Sequence, residues 1–237
     1  YLKAKHKYAK RENTDDTDIA RGLYRKAIEL DDNLIVAKVL LGHTYSYTGE
    51  YKNAMEIYTS ALQQAEELGD KRGIGDSLNN IGFAYYGTGD YENEKALDSF
   101  EKAFAIMEEL GDKLGMGVSL AYIGMMHKSK GDLDTALDYF GRALFIREEL
   151  GDKYGIGDSL SNIGFVHKSK GDLDTALDCF GRSLSIREEV GDKHGIGGSL
   201  DSIGIMHKDK GDLDTALDYY GRALAINEEL GGKYGMG

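Results

Sequence analysis

Apolar residues along the chain recur at spacings of three and four, and glycine and aspartate interrupt them at regular intervals. Between Gly155 and Leu184, Ile156, Leu160, Ile163 and His167 fall on one helical face. Leu173, Ala176, Leu177, Phe180 and Leu184 fall on another. Gly171 separates the two sets and suits the left-handed residue that ends a helix. Asp172 is placed to cap the next helix, and Asp174 sits in its first turn, where the helix dipole favours negative charge. The pairs Asp138/Arg142, Asp178/Arg182 and Asp218/Arg222 stand one turn apart in the favourable order. Each such stretch predicts a helical hairpin, and no strand alternation or βαβ pattern competes with it.

The hairpins repeat. HKSKGDLDTALD stands at His127–Asp138 and again at His167–Asp178, and it returns at His207–Asp218 with Asp209 in place of serine. LGDKxGxG begins at Leu68, Leu110 and Leu150, followed by VGDKHGIG from Val190 and LGGKYGMG from Leu230. The period is forty residues, except for forty-two in the unit that contains GDYENEKAL at Gly89–Leu97. The expected units are 34–68, 73–110, 115–150, 155–190 and 195–230. A partial or divergent unit over 1–33 precedes them, and 231–237 reads as the start of a further one. One hairpin cannot bury its apolar stripe, whereas stacked hairpins share a continuous core. The repeated dodecamer is therefore a structural corner: a helix end, a glycine stop, an aspartate cap and the next helix.

Within the units, small and aromatic residues fall at set distances. The first clear repeat has Gly42, Tyr45, Gly49, Tyr51, Ala54, Tyr58 and Ala61. The third has Gly124, His127, Gly131, Leu133, Ala136, Phe140 and Ala143. Gly164, Gly171, Ala176 and Phe180 follow in the fourth, and Gly204, Gly211, Ala216 and Tyr220 in the fifth. This pattern resembles the tetratricopeptide repeat. The resemblance implies an all-α fold, a right-handed α-solenoid of stacked antiparallel helical hairpins running as a single solenoid over 1–237. The first helix of each pair then lines an inner groove. The long repeat with its GDKxGIG loop is similar to those of kinesin light chains and Pins-type adaptors.

Composition narrows the function classes. The 237 residues include 32 glycines and no proline, with a net charge of −12. Nucleic-acid binding calls for a basic surface that displaces counterions, so that class is disfavoured. The same charge opposes anionic membranes, and no apolar run reaches the roughly 18 residues of a membrane span. Cys179 is the single cysteine, which excludes an intramolecular disulfide framework and fits a reducing, cytoplasmic compartment.

Chemistry offers little more. His127, His167 and His207 recur one per repeat, about 10 Å apart by helix packing. Zinc ligands stand at about 2.0–2.1 Å, so the three share no metal. Asp132 and Asp134 read as cap and first-turn charge rather than an acid/base pair. GDKYGIGDS at Gly151–Ser159 follows a helix and lacks phosphate-loop spacing; it reads as a turn with a close helix approach at Gly155. Cys179 replaces Tyr139 and Tyr219 of neighbouring units and reads as a tolerated substitution. The chain is expected to be no enzyme and to need no cofactor. Gly141, Gly181 and Gly221 lie inside second helices, where glycine is unfavourable.

The expected function is a non-catalytic scaffold that binds a peptide or protein segment in its concave groove. Mapping the family's groove onto this sequence gives Asn79, Asn80, Phe83 and Tyr86 from the second repeat. The third supplies Tyr122, Met125 and Lys128, the fourth Asn162, Phe165 and Lys168, and the fifth Ile205 and Lys208. The resemblance assigns Asn80 and Asn162 to grip a peptide backbone. The three lysines would favour an acidic partner. The alternative is a structural spacer or self-associating array without a specific groove ligand, which the near-identity of the later repeats favours. The start of a further repeat at Gly231 gives the expectation of a fragment of a longer array, or of a terminal face open to homo-oligomerisation.

Overall fold

The computed structural model describes residues 1–4, 14–89 and 94–230. Eleven long helices lie among them: α1 (Thr14–Leu30), α2 (Ile35–Tyr47), α3 (Tyr51–Leu68), α4 (Lys71–Gly87), α5 (Glu94–Leu110), α6 (Lys113–Ser129), α7 (Leu133–Leu150), α8 (Lys153–Ser169), α9 (Leu173–Val190), α10 (Lys193–Asp209) and α11 (Leu213–Glu229). No strand occurs among the described residues, and no helix is long and apolar enough to cross a membrane. The segment Gly231–Gly237 lies outside the described residues, as does most of the two-residue insertion ahead of α5.

Two compact units divide the chain, Tyr1–Lys130 and Gly131–Gly237. Within each unit every helix packs on the next, and the even-numbered helices also touch one another, α2 on α4, α4 on α6 and α8 on α10. Each unit is thus a stack of antiparallel hairpins with the even-numbered helices forming one layer.

Two kinds of corner build the stack. At the end of an odd helix, Gly151 and Gly191 adopt φ of 64° and 69°. The next aspartate then closes the turn, with Asp152 N donating to Arg147 O at 2.9 Å. Its side chain caps the following helix, as Asp152 Oδ1 accepts from Gly155 N at 3.1 Å. At the end of an even helix Gly171 takes φ 81°, and Asp172 Oδ1 accepts from Thr175 N at 3.2 Å. The expected stop and cap are both present.

The core lies where aromatic rings of odd helices meet glycines of even ones. Tyr58, Phe100 and Phe180 are fully buried. A Cβ on Gly82 would lie 2.6 Å from Phe100 Cε1, and one on Gly164 2.9 Å from Phe180 Cε1. These glycines leave room for one edge of the ring against the neighbouring helix.

The GxG of the GDKxGxG loop does a second job. Met107 of α5 is fully buried. A Cβ on Gly75 would come 2.6 Å from its Cε, and one on Gly115 2.5 Å from its Sδ. In the other unit Arg187 takes the same place. A Cβ on Gly157 would stand 3.1 Å from its Nε and one on Gly195 2.7 Å from its Nη1. The close approach expected at Gly155 is therefore made by a side chain, Arg147, whose Cδ would meet a Cβ there at 2.7 Å.

Candidate functional site

The even-numbered helices expose one stripe apiece. In the first unit it includes Asp76, Asn80, Phe83 and Tyr86 on α4, then Val118, Tyr122, Met125 and Lys128 on α6. In the second it includes Asp158, Asn162, Phe165 and Lys168 on α8, then Asp201, Ile205 and Lys208 on α10. These are the faces the sequence assigns to a partner, and they are described unit by unit.

In the first unit, Phe83 and Tyr122 are 5.8 Å apart between ring centroids, and Tyr122 stacks on Phe100 at 4.8 Å. An aromatic ledge therefore spans α4 and α6, with half-buried Met125 one turn beyond Tyr122. Burial lowers the pKa of Lys128. Tyr86 reaches across to Ser129, its hydroxyl 3.3 Å from the serine oxygen.

The asparagines are engaged by the fold. Asn79 is buried, and its Nδ2 donates to Ser119 Oγ at 2.9 Å. Asn80 Oδ1 lies 2.7 Å from His43 Nε2, while Asn80 Nδ2 donates to Asp76 O at 2.7 Å. Both ends of that amide are already bonded. Burial holds the His43 pKa below its ordinary 6.5, with the Asn80 bond opposing the shift.

In the second unit Asn162 is half-buried and makes no side-chain hydrogen bond among the described residues. One turn on, Phe165 packs edge-on against Phe180 with centroids 5.0 Å apart. Lys168 Nζ is 3.7 Å from Asp209 Oδ2 on α10, so the residue that breaks the repeated dodecamer pairs with part of the lysine stripe. Lys208 is exposed.

Beneath this stripe lies a feature absent from the sequence reading. Arg147 and Arg187 are 8% and 9% exposed. Arg147 Nη1 donates to Gly155 O at 2.9 Å and to Ser159 Oγ at 2.8 Å. Arg187 Nη1 donates to Gly195 O at 2.8 Å, and its Nη2 reaches Asp158 Oδ1 at 2.7 Å. Partial desolvation where it meets α9 raises the Asp158 pKa, although much of the side chain reaches solvent, and the two guanidinium groups oppose the shift without cancelling it. The signal available in sequence was that Arg147 and Arg187 align with apolar Met107, a position an exposed arginine would not share.

The histidines belong to the corners. His167 Nδ1 lies 3.2 Å from Asp172 Oδ2, and His207 Nδ1 stands at the same distance from Asp212 Oδ2. His207 also stacks on Tyr219 with centroids 5.6 Å apart. Among the described residues no group of three or more His, Cys, Asp or Glu side chains is arranged to hold a metal ion. Buried Cys179 has its thiol pKa raised by burial first and by Asp178 next.

The family model for the tetratricopeptide repeat matches residues 33–93 and 155–229, more than half of the chain. The chain belongs to the tetratricopeptide repeat family. Solved tetratricopeptide structures share its fold. BtubC (BKLC) from P. vanneervenii superposes with a TM-score of 0.70 at 21% identity, covering 94% of this chain and 92% of that one. A kinesin-light-chain-type protein of Podosopora anserina with nearly identical TPR-like repeats gives 0.63 at 13% identity, covering 83% and 96%. The APC/C hetero-tetramer Cut9–Hcn1 gives 0.68 at 17% identity, covering 92% of this chain and 38% of that one. No curated protein matches the sequence. At these identities the likeness is one of fold.

Proposed function

We propose that this tetratricopeptide chain is a non-catalytic protein-interaction scaffold that holds a peptide or protein segment against the stripes of its even-numbered helices. Asn162 carries the reading. It sits on the exposed stripe of α8 with an amide unused by the fold, one turn from Phe165. An amide both donates and accepts, which suits an extended main chain. Phe83, Tyr122 and Met125 offer apolar contact of the kind that anchors interfaces. Lys128, Lys168 and Lys208 favour an acidic segment. The similar fold in Cut9–Hcn1 sits in a protein–protein assembly, which supports the same class of function.

A spacer or self-associating array is the alternative, favoured by the letter-for-letter identity of His127–Asp138 and His167–Asp178. Selection of displayed random peptides separates the two. It is run against the native chain and a Lys128→Glu, Lys168→Glu, Lys208→Glu variant of unchanged helicity. Acidic peptides that the variant loses support the charge-reading scaffold. Peptides kept by both move recognition to Asn162 and the aromatic residues. No enrichment overturns the scaffold in favour of the array.

A further inference from the structure

KRGIGDSL at Lys71–Leu78 on α4 and KYGIGDSL at Lys153–Leu160 on α8 place Asp76 and Asp158 at the same point of the exposed stripe. IMEE at Ile106–Glu109 on α5 and IREE at Ile186–Glu189 on α9 put Met107 and Arg187 at one register of the helix beneath. The second unit answers its aspartate from within, since Arg187 Nη2 stands 2.7 Å from Asp158 Oδ1. In the first unit the thioether of Met107 fills that place between Gly75 and Gly115 and brings no charge. Asp76 is exposed and forms no ion pair among the described residues. Arg72, one turn back, pairs with Asp112 at 3.0 Å. Partial desolvation raises the Asp76 pKa, Arg72 opposes the shift, and Asp112 and Asp70 add to it. Because α4 packs on α5 and touches α2 and α6, the chain's own helices border this carboxylate.

The rest of the stripe has a fixed length. Val118, Tyr122 and Met125 on α6 match Asp76, Asn80 and Phe83 on α4 in the repeat. Lys128 stands ten residues after Val118, about 15 Å along the axis. The aromatic ledge of Phe83 and Tyr122 occupies the interval. Alternate side chains of an extended segment point the same way, and residues i and i+4 stand about 13 Å apart. The same step in a helix rises only about 6 Å.

We infer that the segment held by the first unit is extended and carries both signs of charge. A lysine or arginine meets Asp76, an apolar side chain two residues away rests on the Phe83–Tyr122 ledge, and an acid two residues further lies beside Lys128. The partner's cation does for Asp76 what Arg187 does for Asp158. This rests on the scaffold reading and refines its acidic partner.

Two fluorescein-labelled peptides, GSRSLSESG and GSESLSESG, are titrated against the full chain and followed by anisotropy. The arginine peptide binds the native chain about fivefold more tightly. An Asp76→Lys variant of unchanged helicity reverses the order. Met107→Arg erases the preference by supplying the guanidinium from beneath, whereas Asp158→Asn leaves the preference in place. Equal binding, or tighter binding of the glutamate peptide, overturns the inference and leaves the scaffold with an acidic partner. So does a preference that Asp158→Asn removes and Asp76→Lys retains. Binding of neither peptide overturns it as well, and the selection of random peptides then decides the scaffold reading by itself.

Discussion

Arg187 reaches from α9 to Asp158 on α8, with 2.7 Å between Nη2 and Oδ1, while its stem lies between the α-carbons of Gly157 and Gly195. The guanidinium is nearly buried, whereas the Asp158 side chain is 63% exposed. The arginine therefore acts as packing first and as an ion-pair partner second. Replacing Arg187 by alanine opens the socket and removes its bonds to Gly195 O and Asp158, at a cost of about 1–3 kcal/mol. Arg187→Met recovers most of that, because Met107 fills the matching socket in the first unit. Urea unfolding of the three proteins checks the order, and a methionine variant as weak as the alanine one would make the charge the main contributor.

Interior glycines divide into two kinds. A Cβ on Gly181 meets nothing within 4 Å, so Gly181→Ala raises stability by about 0.5–1 kcal/mol through helix propensity. Gly164→Ala pushes into buried Phe180 and lowers it by about 1–3 kcal/mol. Opposite shifts in thermal midpoint are the expected result.

His43 makes the first unit sensitive to mild acid. Burial sets its folded pKa below the ordinary 6.5, so the unfolded chain binds more protons in that range. Its contribution is fully present above pH 6.5, and it is lost as pH falls through the lower folded value. His43→Gln, which can still donate to Asn80, flattens that part of a stability–pH curve. Asp172 and Asp212 act further down. Their pKa values lie below the ordinary 3.8, chiefly through hydrogen bonds with Thr175 and Thr215. Their stabilisation is present above that value and disappears as they protonate.

The two asparagines separate folding from binding. Asn80→Ala breaks bonds to His43 and to the Asp76 carbonyl and lowers stability by about 1–2 kcal/mol. Asn162→Ala leaves the melting curve within about 0.5 kcal/mol and weakens any peptide selected by the native chain by about tenfold. Melting curves and peptide titration on both variants test this pair of outcomes. A stable Asn80→Ala protein, or an Asn162→Ala protein that binds as before, would contradict it.

The hairpins were legible because they obey local rules. Gly171 needs a positive φ, Asp172 needs only the amide of Thr175, and both lie within one turn of sequence. The stripe on the even-numbered helices was legible for the same reason, since helical period places Asn162 and Phe165 together. What the period leaves out is lateral. Asn80 looks identical to Asn162 along the chain, yet a histidine thirty-seven residues earlier occupies its carbonyl. Arg187 has the composition of a surface residue, and only two glycines on two other helices make room for it. The ion pairs expected at Asp138/Arg142 and Asp178/Arg182 form at 3.7 Å, while Arg222 instead lies 4.9 Å over the Tyr219 ring.

The glycine sockets have an evolutionary consequence. Each accepts what the preceding helix sends, be it the thioether of Met107 or the guanidinium of Arg187, without change to the glycines themselves. A hairpin copied by gene duplication arrives with its socket already cut and its own plug in place. It needs no compensating substitution in its new neighbour. An array joined this way can gain or lose units in single genetic steps, and newly copied hairpins remain nearly identical until selection on their exposed residues tells them apart.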